Sequence, residues 1–163
     1  MEADLDPRQL RNAFGAFATG VTVVSSVDAA GVRVGLTANS FTSVSLDPPL
    51  LLVCPARGAS ALPVLRLAGR FAVDVLTLDP QDVAEAFTQR GIDRFGACGA
   101  WSDWHGLPVL EGAMANFACD LHAELDGGDH AILVGRIRAL RTQPGTEPLL
   151  YLQGRFRQVH VPA

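Results

Sequence analysis

Between Phe117 and Leu140 the chain has the pattern of two antiparallel strands. Phe117, Cys119, Leu121, Ala123 and Leu125 fall on one side of a two-residue period, with Asp120, His122 and Glu124 on the other. Asp126-Gly127-Gly128-Asp129 turns the chain around, and His130 to Leu140 returns as the partner.

Other runs carry the same strand signal. Val21 to Val27 is rich in β-branched residues, breaks at Asp28-Ala29-Ala30-Gly31 and resumes from Val32 to Thr37, which predicts a second hairpin. Asp47-Pro48-Pro49 makes a turn before the strand Leu50 to Cys54, and the prolines argue against continuous pairing through that point. Phe71, Val73 and Val75 alternate with Ala72, Asp74 and Leu76. Leu149 to Gln153 and Phe156 to Val159 read as one last strand interrupted around Gly154. Several hairpins with few helices, and no GxGxxG after any strand, favour a closed antiparallel sheet over a Rossmann fold.

Three short helices are expected. The first starts at Asp6-Pro7-Arg8-Gln9, an N-cap acceptor, a proline at the first position and a capping-box Gln. Leu10, Phe14 and Phe17 share one of its faces, expected to cover an end of the sheet, and Gly20 is placed to stop it. The second runs from Ala61 to Ala68, with Ser60 as N-cap, Pro63 in the first turn and Gly69 as its stop. The third starts at Asp79-Pro80-Gln81-Asp82, turns Val83, Ala84 and Phe87 inward and ends at Gly91. Asp93 to Gly112, with Trp101, Trp104 and His105, has no clear period, and a loop of that length is expected to line a site or an interface.

The 163 residues form one expected domain, 1–163. A net charge of -4 gives no electrostatic case for binding nucleic acid. An apolar share of 48% with only 18% charged residues suggests that apolar surface is covered by something besides the chain's own core, most simply a second copy in a homodimer. The longest apolar run, Pro48 to Pro55, is too short to span a membrane, and MEADLDPRQL has no signal-peptide character, so the expected location is the cytoplasm. Cys54, Cys98 and Cys119 read as reduced core thiols, and the scattered His105, His122, His130 and His160 give no metal motif.

VGLTANSFTSVSLDPPLLL, residues 34–52, departs from the strand pattern. Thr37, Asn39, Ser40, Thr42, Ser43 and Ser45 crowd a run that otherwise looks buried, and buried donors and acceptors need partners. Either they present neutral hydrogen-bonding groups to a phosphorylated or carbonyl-rich ligand, or they stabilise a polar turn among themselves. Further on, Arg57 stands just before the helix cap at Ser60, an arrangement suited to a phosphate and equally to a solvated loop cation.

FGAFATGVTVVSS, VGLTANSFTSVSLDPPLLLVC, GRFAVDVL, DRFG, HGLPVLEGAMANFACDL, GDHAILVGRI and PLLYLQGRF follow one another from about Leu10 to Arg157. Together they resemble the flavin reductase-like family of split β-barrel proteins, the small reductase components of two-component flavin monooxygenases. The resemblance implies a mainly β fold, a Greek-key, FMN-binding split β-barrel with a few short peripheral helices, assembled as a homodimer. It also implies binding of FMN, in some members FAD, its reduction by NADH or NADPH, and release of reduced flavin to a flavin-dependent monooxygenase. By the same resemblance Thr37, Ala38, Asn39 and Ser40 lie along the flavin, with Ser45 near the ring edge. Cys54, Arg57 and Ser60 follow the ribityl phosphate, and Arg94 and Phe95 stand near the flavin or its phosphate. His130 is the implied contact to the nicotinamide, although a histidine beside Asp129 at a hairpin turn can also be an exposed turn residue. Tyr151 and Gly154 lie at the implied nucleotide-binding edge. Ala59 and Ala61 replace hydroxyl residues common in the family, which leaves a phosphate more dependent on Ser60, Arg57 and backbone N–H groups.

Hydride transfer of this kind needs neither a nucleophile nor a metal, only two rings held face to face and donors where charge develops. The short loop from Arg57 to Ser60 suggests FMN rather than FAD, with Arg57→Ala expected to weaken FMN more than riboflavin.

Overall fold

A computed structural model describes residues 5–79 and 81–160. The chain opens with α1 (Pro7–Gly15), β1 (Thr19–Gly20), β2 (Thr22–Val27), β3 (Arg33–Ala38), β4 (Thr42–Leu46) and β5 (Pro49–Val53). The middle contains α2 (Leu62–Ala68), β6 (Arg70–Val75), α3 (Gln81–Ala86), α4 (Arg94–Ala97), β7 (Trp101–Trp104) and β8 (Leu107–Leu110). β9 (Ala115–Gly127), β10 (His130–Thr142), β11 (Leu150–Leu152) and β12 (Arg155–Arg157) complete it. The architecture is mainly β with a few short helices.

β9 and β10, thirteen residues each, are the long hairpin expected from the alternation, and they sit at the centre of a seven-stranded antiparallel sheet in the order β3-β2-β6-β9-β10-β5-β4. A bulge falls between Val134 and Gly135. A Cβ at Gly135 would stand 2.7 Å from the Phe71 ring and 3.0 Å from Cys119 Cβ, so the missing side chain is what lets the fully buried Phe71 pack there. Val24, Leu51, Val53, Leu62, Leu65 and Leu133 belong to the same buried cluster as Phe71, and Phe71→Ala in such a core costs about 3–5 kcal/mol.

The sheet does not close by hydrogen bonding. Its edge strands β3 and β4 are unpaired with each other among the described residues, although only residues 39–41 separate them in sequence. The sheet must therefore curl until the Ala38 end of β3 comes within a few residues of the Thr42 end of β4. Cys54 N donates to Ser40 Oγ at 2.8 Å, which fixes the connection to the end of β5 and draws β4 into its hairpin with β5 rather than onto β3.

Several local expectations change in three dimensions. Asp6 caps α1 by accepting from Arg8 N at 3.0 Å, but the helix ends at Gly15, and Gly20 instead pairs with Leu150 across β1 and β11. Leu10, Phe14 and Phe17 cover no part of the core and are 39%, 70% and 77% exposed, because α1 is tied by its C-terminal end, where Gln153 N donates to Gly15 O at 2.8 Å. Ala61 rather than Ser60 stands at the N-cap of α2, with no side-chain cap bond, while Gly69 does end that helix in the left-handed conformation. Val83, Ala84 and Phe87 are buried as expected, but α3 ends at Ala86, before Gly91, and Pro80 lies outside the described residues.

Residues 93–112 are not an open loop. They form α4 and the β7–β8 hairpin, turned at His105-Gly106 with φ of 55° and 71°, and Leu107, Val109 and Leu110 are buried. Ser25 Oγ donates to Pro108 O at 2.6 Å, so the hairpin covers β2. The expected last interrupted strand is two strands, β11 and β12, that turn at Gln153-Gly154 and form a three-stranded sheet with β1.

A polar network lies inside the fold. Fully buried Asp74 accepts from Leu110 N at 3.1 Å and Asn116 Nδ2 at 2.6 Å, and Asn116 Oδ1 accepts from Arg141 Nε at 2.7 Å. Burial pushes the Asp74 carboxyl up to about 7, against the downward pull of the bonds from Asn116 and Leu110 N. Cys119, also buried, has its thiol pushed up to about 12 by burial, which suits an inert core position.

Candidate functional site

Where the sheet splits between β3 and β4, the connection 39–41 opens onto a cavity of about 560 Å³. Thr37, Ala38, Asn39 and Ser40 form one wall, and Cys54, Ala56 and His130 another. Phe14 reaches in from α1. Neighbouring hollows extend the cavity into a groove. One of about 410 Å³ shares Leu36 and Ala59 with it and runs past Ser60, Arg90 and Arg94. Another of about 470 Å³ shares Phe14 and Asn39 and runs between α1 and the β11–β12 turn.

The hydroxyls expected to face a ligand are partly used within the chain. Thr37 Oγ1 donates to Ala84 O at 2.8 Å, and Ser40 Oγ accepts from Cys54 N. Thr42, Ser43 and Val44 are exposed on the edge strand β4, so this part of the run is not buried, and Thr42 Oγ1 donates to Ser43 O at 3.4 Å. Ser45, half-buried on β4 opposite Leu50, does not line the cavity. Asn39 is exposed at the junction of two hollows and makes no hydrogen bond among the described residues, which leaves its amide free for a ligand. The half-buried Cys54 thiol is raised by burial, opposed by its hydrogen bond with Ser40.

His130 does come to the cavity. Its Nδ1 lies 2.7 Å from Asp129 Oδ1, and its backbone is held by a bridge to Ala56. Asp129 is held below the usual carboxylate range, first by its hydrogen bond with His130. With Nδ1 so engaged, Nε2 is the ring nitrogen left for a ligand.

The charged end of the groove differs from the sequence expectation. Arg57 Nε donates to Gly128 O at 2.6 Å and its guanidinium pairs with Asp126, so it clamps the β9–β10 turn instead of facing Ser60. Arg94 lines the groove but also donates from Nη1 to Gly35 O at 2.8 Å and from Nε to Gln89 O at 2.8 Å. Phe95 lines a further hollow of about 360 Å³ beside Arg94 and Ser60 but packs edge-on against Phe87 and Trp101, with centroids 5.0 and 4.7 Å apart, so its ring belongs largely to the core. Arg90 was not anticipated. It lines the groove next to Ser60 and has no partner among the described residues, and its place in Gln89-Arg90-Gly91, just past the inward Phe87, was the only sequence signal. Tyr151 and Gly154 lie in the hollow by α1, where Phe14 and Phe17 join them. No cluster of three metal-ligating side chains occurs among the described residues.

The chain matches the flavin reductase like domain over residues 14–160. It is 47% identical over 155 residues to the "Probable flavin reductase" of Rhizobium meliloti, covering 93% of this chain and 48% of that protein, so it spans about half of that relative's length. With a flavin-dependent monooxygenase reductase subunit of Mycobacterium tuberculosis it shares 36% identity over 162 residues, 96% of this chain and 84% of the relative. The NADH:FAD oxidoreductase of Streptomyces globisporus, solved with NAD and FAD fragments, superposes with a TM-score of 0.89 at 39% identity, over 97% of this chain and 98% of that one.

Proposed function

The chain belongs to the flavin reductase-like domain family, and from that premise we propose that it is an NAD(P)H:flavin oxidoreductase that supplies reduced flavin to a partner monooxygenase. The observation that carries this reading is the groove, which brings Thr37 to Ser40, Cys54 and His130 from three separate segments around one cavity at the split in the sheet. On this reading the curled sheet is a split barrel. The donor set fits a flavin in kind, with neutral amide, hydroxyl and backbone groups on one wall and apolar Phe14 and Ala59 near the ring's path.

A flavin held by this groove would supply the redox chemistry, taking up the hydride of a reduced nicotinamide. The chain's residues orient and desolvate. Asn39 offers its free amide, while Thr37 and Ser40, held by their own bonds to Ala84 and Cys54, act as a rigid backbone wall rather than as side-chain donors. His130, steadied by Asp129, presents Nε2 toward the nicotinamide as a positioning donor or acceptor, with no proton transfer required of it. Ser60 with Arg90 and Arg94 is the cationic end suited to a flavin phosphate, whether from FMN or FAD. Tyr151 and Gly154 bound the path of the dinucleotide.

The test is steady-state oxidation of NADH and NADPH with FMN or FAD added. Saturable turnover in both substrates is expected, and a protein that binds flavin without turnover would be a binding module instead. Arg57→Ala is expected to change affinities for FMN and riboflavin alike and by less than about threefold, because an exposed ion pair contributes little. Equilibrium titration checks this, and a loss confined to FMN would return the phosphate to Arg57. The exposed Leu10, Phe14 and Phe17 support a homodimer, for which sedimentation across a dilution series is expected to show no active monomer.

A further inference from the structure

The buried carboxyl of Asp74 is connected by hydrogen bonds to the outer face of the β7–β8 hairpin. Both of its oxygens accept, Oδ2 from Leu110 N at 3.1 Å and Oδ1 from Asn116 Nδ2 at 2.6 Å, and Asn116 Nδ2 also donates to Leu110 O at 3.1 Å. Asn116 Oδ1 accepts from Arg141 Nε at 2.7 Å. Arg141 continues outward, with Nη2 3.3 Å from Glu111 Oε1 and its guanidinium 5.2 Å from the centre of the Trp104 ring. Ser102 on β7 donates to the same Glu111 oxygen. A group with no access to water is thus bonded, link by link, to both strands of the hairpin. Arg141 and Glu111 are the charged groups that act on Asp74, while its neighbours across the sheet, Val23 on β2 and Asn116 on β9, carry no charge.

Each of these bonds is donated to Asp74, a pattern that suits the ionised form. A proton taken up from water would set an O–H against donors, and the group able to turn an acceptor toward it is the Asn116 amide. Turned over, that amide puts Nδ2 against Arg141 Nε and Oδ1 against Leu110 O, and both bonds are lost. Burial opposes ionisation, so ionising Asp74 costs the whole fold stability while it tightens the bonds that hold the hairpin. The hairpin in turn backs the cationic end of the groove. Trp101 on β7 packs edge-on against Phe95 at 4.7 Å and lies 5.2 Å from Phe87, whose ring lines the groove with Arg90 and Arg94. Building on the reading of the groove as a flavin site, we propose that Asp74 is a proton-operated latch. Ionised, it holds the β7–β8 hairpin and the rings behind the flavin's phosphate end in place; protonated, it releases Arg141 from the hairpin and weakens flavin binding.

The test follows the emission of Trp101 and Trp104, the chain's two tryptophans, from about pH 5.5 to 8.5 without flavin. It is run in a His105→Asn background, which removes the imidazole stacked on Trp104 at 4.7 Å and suits the positive φ of 55°. An emission change with its midpoint at about pH 7 is expected. It should vanish in Asp74→Asn and also in Arg141→Gln, which leaves the buried carboxyl in place and serves if the first variant fails to fold. FAD, whose pyrophosphate keeps its charge across this interval, is expected to bind about fivefold more weakly at pH 6 than at pH 8, and equally at both in Arg141→Gln. Emission that stays flat through pH 7, or a change that survives Arg141→Gln, would overturn the latch. So would an FAD affinity that stays level with pH in the wild-type protein, or one that varies as much in Arg141→Gln. Failure of the underlying reading shows separately, as a protein that binds no flavin at any pH while its emission change remains.

Discussion

Raising the pH from about 4 to about 7 is expected to remove on the order of 4 kcal/mol of stability through Asp74 alone. In the unfolded chain this carboxyl ionises near 3.8, while in the fold burial holds its proton until about 7. Between those values the folded state binds more protons than the unfolded one, so stability is greatest below the lower value, falls as pH rises and levels off above the higher one. Glu111, Glu124, Asp126 and Asp129 shift the other way, held down by Ser102, Arg66, Arg57 and His130 respectively. Their contributions are complete above the ordinary carboxylate range and fade on acidification, so from about pH 5 to 7 Asp74 is the one of these five carboxylates still titrating, and the Asp74→Asn comparison separates it from other groups. Urea unfolding midpoints across that interval should fall for the wild-type protein and stay nearly level for Asp74→Asn. The comparison is of slopes, because the amide also faces the Asn116 Nδ2 donor and costs some stability at every pH. Parallel slopes in the two proteins would assign the titration to another group.

His130→Ala is expected to lower kcat/KM for NADH roughly tenfold to a hundredfold, the equivalent of about 1–3 kcal/mol. Flavin affinity and thermal midpoint should barely change, since the segment is held by backbone bonds that the substitution leaves intact, Ala131 N to Pro55 O at 2.9 Å and Arg57 N to Asp129 O at 2.9 Å. Stopped-flow reduction at limiting and saturating NADH separates weaker binding from poorer alignment. Asp129→Asn should show a smaller loss in the same direction, because it loosens the imidazole without removing it. Unchanged reduction in His130→Ala would make the side chain an exposed turn residue, and a collapse of the thermal midpoint would make it structural.

What could be read from the sequence follows the range of the interactions. The β9–β10 hairpin, the inward Val83, Ala84 and Phe87 and the stop at Gly69 depend on neighbours within a few residues, and all were legible. β7 and β8 were not, because strands of four residues containing Pro108 and turned by a histidine at φ 55° carry almost no periodic signal. The candidate site divides the same way. The types of residue at Thr37 to Ser40 and His130 singled out side chains that line one cavity, but which hydroxyls were already bonded depended on Ala84 and Cys54, 47 and 14 positions away. The bonds of Arg57 were hidden for the same reason, since its partners lie about seventy residues downstream on the β9–β10 turn.

The bond between Gln153 and Gly15, with the pairing of β1 and β11, brings the first and last elements of the domain together at one end of the groove. The start of α1 is less than two turns beyond Phe14, a span of roughly 10 Å, and β12 follows directly from the Gln153-Gly154 turn. A second domain fused to either end would thus begin its path close to the groove mouth, with a short tether and a high effective concentration there. Under the proposed flavin reduction, this geometry would let a flavin-consuming module joined at either end receive the reduced cofactor before oxygen in bulk solvent reacts with it.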